Sequence, residues 1–97
     1  MAISVQIEFM GTLQQLTSTQ RITLKFGEPA TVKDIVDKLL KSFSSEFKEF
    51  FVDPELNDPR PNVLMVLNRT EIGALNGLET VVRNGDKLIL IPTSHGG

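Results

Sequence analysis

Between two stretches of alternating apolar residues lies one apolar stripe of helical spacing, and that change of period restricts the chain to few architectures. Val32, Ile35, Val36, Leu39, Leu40 and Phe43 recur at intervals of three and four, which places them on one face of a helix. Upstream, Ile3, Val5, Ile7 and Phe9 alternate with Ser4, Gln6 and Glu8, the period of a strand with one buried and one wet face. Beyond Gly11 and a polar stretch through Gln20, the alternation resumes at Ile22, Leu24 and Phe26 and stops at Gly27. An antiparallel hairpin is therefore expected before any helix begins. The helix has a start signal in Thr31 followed by Asp34, a capping-box arrangement, and Lys38 and Lys41 sit near the negative end of its dipole.

Downstream, Phe47, Phe50 and Phe51 suggest a short second helix within Ser44 to Val52, ended by Asp53-Pro54 and Asp58-Pro59-Arg60-Pro61. Asn62 to Leu67 reads as a strand, Asn68-Arg69-Thr70-Glu71 as a turn into a short strand around Ile72, and Asn76-Gly77 as another turn. Arg83-Asn84-Gly85-Asp86 turns the chain into a last strand, Lys87 to Ile91, which Pro92 ends. A crossover helix supplies the length needed to bring a final strand parallel to the first. The expectation is an α+β roll of the β-grasp type, a mixed sheet of four to five strands on one main helix. At 97 residues the chain makes one domain, 1–92, with a flexible tail over 93–97.

Composition removes several function classes. The formal net charge is only -2, lysines and arginines are interspersed with acids, and there is no Trp or Tyr to stack on bases, so direct nucleic-acid binding is not expected. No apolar run approaches the ~20 residues of a membrane span and no charged leader precedes one, which makes a cytoplasmic address the default. With no cysteine and one histidine there is no thiol nucleophile and no metal-ligand spacing; no metal and no bound cofactor are expected. Asn68-Arg69-Thr70 matches a glycosylation sequon but reads as a hairpin turn.

The last third carries a more specific pattern. Arg60-Pro61-Asn62-Val63-Leu64-Met65-Val66-Leu67-Asn68, Leu75-Asn76-Gly77-Leu78-Glu79-Thr80, Asn84-Gly85-Asp86-Lys87-Leu88-Ile89-Leu90-Ile91 and the ending Ser94-His95-Gly96-Gly97 resemble the ubiquitin-related modifier and molybdopterin-synthase small-subunit group of β-grasp sulfur carriers. The His-Gly-Gly ending is similar to that of the modifiers, whereas Pro92 is similar to the approach to the tail in the synthase subunits. The resemblance implies that a ubiquitin-activating-type enzyme uses ATP to adenylate the terminal glycine carboxylate. Sulfur then replaces one oxygen to give a thiocarboxylate for sulfur transfer, as in tRNA thiolation, or a target-protein lysine captures the activated carbonyl in an isopeptide bond. In the synthase branch the thiocarboxylate serves molybdenum cofactor biosynthesis beside a large synthase subunit.

On this reading Gly97 carries the chemistry. A free α-carboxylate, with a pKa of ~3.5, is ionised at neutral pH and accepts no nucleophile until it is activated. Gly96 lets the backbone thread a narrow channel because it has no Cβ. Thr93 to Gly97 can extend roughly 15 to 18 Å. Ser94 reads as a polar spacer, and His95, without a neighbouring nucleophile or carboxylate, as a docking rather than proton-transfer residue.

The last strand raises a further question, since Leu88 and Leu90 point to one side, Ile89 and Ile91 to the other, and a helix covers only one face. By resemblance to ubiquitin, Ile89 and Ile91 form the outer pair; Leu64 and Val66 are assigned to the same face. The expected result is an apolar docking patch near the tail root. The alternative is that the Phe43 to Phe51 segment folds over this face and buries it. A reading of another class makes the chain a non-covalent ubiquitin-like binding module in which Gly96 and Gly97 are incidental.

Overall fold

The structure, a computed structural model, describes residues 2–93. Strand β1 (Ala2–Phe9) buries Ile3, Val5, Ile7 and Phe9 and leaves Ser4, Gln6 and Glu8 half-buried on the opposite face. It pairs antiparallel with β2 (Arg21–Gly27), from Ala2 opposite Gly27 to Glu8 opposite Arg21. The connection is not the plain polar turn expected: helix α1 (Thr12–Thr17) stands between the two strands. Only Leu13, fully buried, and Leu16 anchor it to the core. Two apolar residues in six do not stand out against polar neighbours, so tertiary packing fixes this helix where periodicity gives no signal.

Helix α2 (Val32–Ser42) begins with the anticipated capping box. The Thr31 amide donates to the Asp34 carboxylate at 2.8 Å and the Asp34 amide donates to Thr31 Oγ1 at 3.4 Å. Val32, Ile35, Val36 and Leu39 face the core. Lys41 lies in the last turn, whereas Lys38 leans back over the Phe26 ring and donates to the Lys25 carbonyl at 2.7 Å. Helix α3 (Ser45–Phe51) is capped by Ser44 and inserts Phe47 and Phe51, stacked with centroids 4.9 Å apart, beneath the inner face of the sheet. Phe9 meets Phe47 edge-on at 6.3 Å. The aromatic segment thus joins the core on the helix side and does not fold over the outer face.

Two-residue strands β3 (Ala30–Thr31) and β6 (Val81–Val82) form a small antiparallel ladder of their own. Strand β4 (Val63–Leu67) turns through Asn68 and Arg69, both at positive φ, into β5 (Thr70–Glu71). The expected short strand around Ile72 is displaced: it ends at Glu71, and Ile72 opens a single 3-10 turn, Ile72–Ala74, with its side chain buried. Strand β7 (Lys87–Pro92) lies between β1, parallel, and β4, antiparallel, giving the order β2-β1-β7-β4-β5. Pro92 does not end the strand but occupies its last position, opposite Val63. This mixed five-stranded sheet with α2 on one face is the β-grasp roll.

Candidate functional site

The register of β4 and β7 assembles the outer face. Val63, Met65 and Leu67 point into the core with Leu88 and Leu90, so the alternate residues must point away from α2. Leu64 stands opposite Ile91 and Val66 opposite Ile89. Side chains opposed in an antiparallel pair approach within about 5 Å, so these four make one continuous apolar surface. Leu64 is exposed, 40% of its surface remaining accessible, and Val66, Ile89 and Ile91 are half-buried.

A fifth residue extends the patch, and the sequence reading did not single it out. Met10 donates its amide to the Leu90 carbonyl at 3.0 Å, which carries it alongside Ile91, and its side chain is exposed. Gly11 follows at φ 52 and lies against Pro92, so the chain leaves the sheet beside the last residues of β7. The period that puts Ser4, Gln6 and Glu8 outside reaches Met10 two residues later. Continuing that alternation past Phe9 would have found it.

Charge rims the patch on the β1 side. Glu8 stands opposite Ile89, and its Oε1 lies 3.0 Å from Lys87 Nζ and 3.6 Å from an Arg21 guanidinium nitrogen. That oxygen is shielded from solvent and has no directed hydrogen bond, so the two cations hold it as an ion pair. On the other side Glu71, opposite Val66, accepts a hydrogen bond from the Gly73 amide at 2.8 Å. An apolar centre with a charged rim is the anatomy of a protein-binding surface.

Strand β7 leads from this patch directly towards the tail. Thr93, assigned to the tail on sequence grounds, is held to the domain: its amide donates to the Asn62 carbonyl at 2.9 Å. Nearby, the Arg60 guanidinium hydrogen-bonded to Asp58 holds that carboxyl below its usual range, against an opposing effect of burial, and Asp58 in turn raises Arg60. Ser94, His95, Gly96 and Gly97 lie outside the described residues. Among the described residues no three His, Cys, Asp or Glu side chains gather to hold a metal ion, and no helix is long and apolar enough to cross a membrane.

Comparison with known proteins places this geometry. Residues 4–97 match the family model Urm1 (Ubiquitin related modifier). Ubiquitin-related modifier 1 of Eremothecium gossypii is 32% identical over 99 residues, covering 98% of this chain and 99% of the relative. The solution structure of Urm1 from Trypanosoma brucei superposes with a TM-score of 0.78 at 23% identity, over 99% of this chain and 97% of that one. That of small archaeal modifier protein 1 from Methanosarcina acetivorans gives 0.79 at 21% identity, over 100% and 99%. The two structures share the β-grasp fold, and the sequence match runs through the paired glycines. The chain belongs to the ubiquitin related modifier family and is a ubiquitin-like sulfur carrier and modifier rather than a catalyst.

Proposed function

We propose that the working group is the Gly97 carboxylate, delivered to a ubiquitin-activating-type enzyme that docks on the outer face of β4 and β7. A carboxylate oxygen attacks the α-phosphorus of ATP and pyrophosphate leaves, which turns an inert anion into an acyl adenylate. Hydrosulfide released by a sulfur donor, or a lysine amine, then attacks the carbonyl carbon, AMP leaves and the nucleophile gives up a proton, producing a thiocarboxylate or an isopeptide bond. The chain has no cysteine, so the sulfur comes from a partner. Gly96 admits the tail to the nucleotide site, while Ser94 and His95 offer polar contacts on the way. The setting of these steps is the cytoplasm.

One observation carries this reading: a single strand, β7, bears Ile89 and Ile91 of the apolar patch and leads within two residues to the root of the Gly-Gly tail. Docking and delivery are thereby coupled through a rigid element. The test is intact-mass analysis after incubation with an activating-type enzyme, ATP and a sulfur donor. The expected product has one oxygen replaced by sulfur, or is a conjugate ending in Gly97, and removing Gly96 and Gly97 abolishes it. Neither product from the unaltered chain would sink the proposal, and a function that survives the deletion would favour a non-covalent binding module. A second reading, favoured by Pro92 at the end of β7, is the small subunit of a molybdopterin synthase. Stable co-purification with a large synthase subunit selects it, whereas tRNA-thiolation enzymes or lysine adducts select the first.

A further inference from the structure

The segment Asp58-Pro59-Arg60-Pro61-Asn62 is accounted for neither by the docking face nor by the tail chemistry. In the fold it forms a bracket around the last described residue. The Pro59 carbonyl accepts hydrogen bonds from the Asn62 amide at 3.0 Å and the Val63 amide at 2.9 Å, which curls the chain tightly just ahead of β4. Asp58 holds the start of the curl, its carboxylate accepting from the Arg60 amide at 2.8 Å and from Arg60 Nε at 3.0 Å. Asn62 holds the end, donating Nδ2 to the Phe50 carbonyl in α3 at 3.1 Å.

Two carbonyls of this bracket face Thr93. The Thr93 hydroxyl lies 3.0 Å from the Asn62 carbonyl oxygen and 3.1 Å from that of Pro61, one proton shared between two acceptors. The Thr93 amide bond to Asn62 only continues the β4–β7 ladder, and any residue except proline would make it. The hydroxyl bond is different because it needs Thr or Ser.

The geometry points to Thr93 as a positioning residue: latched to the 58–62 bracket, it fixes the direction in which the tail leaves the domain. The inference rests on the activation reading above. Four residues past Thr93 span at most about 14 Å, so a swing at the root shifts the far end by several ångström, far beyond the ~1 Å misplacement that already slows a reaction. Docking through the outer face does not depend on the root. The two features therefore separate kinetically: the face governs how tightly the activating enzyme holds the chain, and the latch governs what fraction of held chains place the carboxylate at the nucleotide.

The experiment is ATP–pyrophosphate exchange by an activating-type enzyme with this full-length chain as the varied substrate. Thr93→Val keeps the side-chain shape and removes the hydroxyl. It is expected to lower kcat about three- to tenfold, the size of one lost net hydrogen bond, with KM within about twofold. Thr93→Ser is expected to restore kcat. A merely structural defect would read otherwise, because a partly unfolded substrate raises apparent KM while kcat survives at saturation. An unchanged kcat in Thr93→Val, a change confined to KM, or no restoration by Thr93→Ser overturns the latch while activation itself stands. If the unaltered chain supports no exchange, the activation reading falls and takes the positioning role with it.

Discussion

Strands β4 and β7 carry nearly the same kinds of side chain on their two faces and use them for different ends. On the inner face Val63, Met65, Leu67, Leu88 and Leu90 retain at most 5% of their surface accessible, while on the outer face Leu64 alone retains 40%. Side-chain hydrophobicity does not separate the two sets. What separates them is cover, since α2 and α3 close the inner face, while the outer one is bordered by charged side chains, Glu8, Lys87 and Arg21 on one side and Glu71 on the other. Apolar composition sets how much surface is available for burial; topology decides whether the chain's own core or a partner takes it up.

The largest effect expected from this contrast is on stability. Leu90→Ala removes a fully buried side chain and leaves a cavity that its surroundings fill only in part, and should cost about 2–5 kcal/mol. Its neighbour provides the control: Ile89→Ala, on the half-buried face, should cost less than about 1.5 kcal/mol. Urea unfolding of the two variants compares the faces directly. Equal losses would mean that the outer residues belong to the core and that the distinction between the faces is false.

The same contrast inverts when activation is measured. A Leu64→Asp, Ile89→Asp pair places two charges at the centre of the patch and should raise KM for the activating enzyme at least about tenfold, equivalent to ~1.4 kcal/mol. The midpoint of thermal unfolding should move far less than in Leu90→Ala. A pair that is activated with unchanged KM would remove the docking role from this face. Met10→Asp sharpens the boundary, because it should raise KM by a smaller factor if the patch extends across to β1.

Cover by α2 can be probed at its start. Thr31→Ala removes the hydroxyl that accepts from the Asp34 amide and should cost about 1 kcal/mol, read as a lowered denaturant midpoint with the slope unchanged. Since Asp34 still accepts from the residue 31 amide, only half of the capping box is lost. A loss as large as that of Leu90→Ala would show that the inner face depends on this cap and not on its own packing.

This helix is also where the sequence was most informative. Six apolar residues at helical spacing, a capping Thr and an acid three residues on all signal the same element, and the alternation of β1 predicts both its burial and its pairing. The short elements carry no such redundancy. Helix α1 has two core residues, and β3 and β6 have two residues each, so their geometry comes from what they meet in space: Leu13 from the core, Ala30 from Val82 across the ladder. The outer patch was legible in part, because alternation makes both faces of β7 apolar and only the resemblance to ubiquitin assigned Ile89 and Ile91 outward, whereas the position of α2 supplies the physical reason. The Thr93 latch left no trace in the sequence, since its acceptors are backbone carbonyls thirty or more positions away.

The smallest effect concerns the bracket beside the tail root, where contacts are polar and open to water. The Asp58 carboxyl is held below its ordinary range chiefly by its hydrogen bond from the Arg60 side chain, so its charged form is favoured in the fold. The resulting stability is fully present above the unfolded carboxyl pKa of ~3.9 and is lost as pH falls from there through the lower folded value. With half of the Arg60 side chain in solvent, the pair is screened and contributes less than about 1 kcal/mol at neutral pH. Asp58→Asn should therefore unfold at slightly lower urea than the parent at pH 7, with the difference shrinking below pH 4. A gap that persists undiminished at pH 3 would show that the contribution does not come from the carboxylate charge, and would remove the ion pair with Arg60 from the stability of this corner of the molecule.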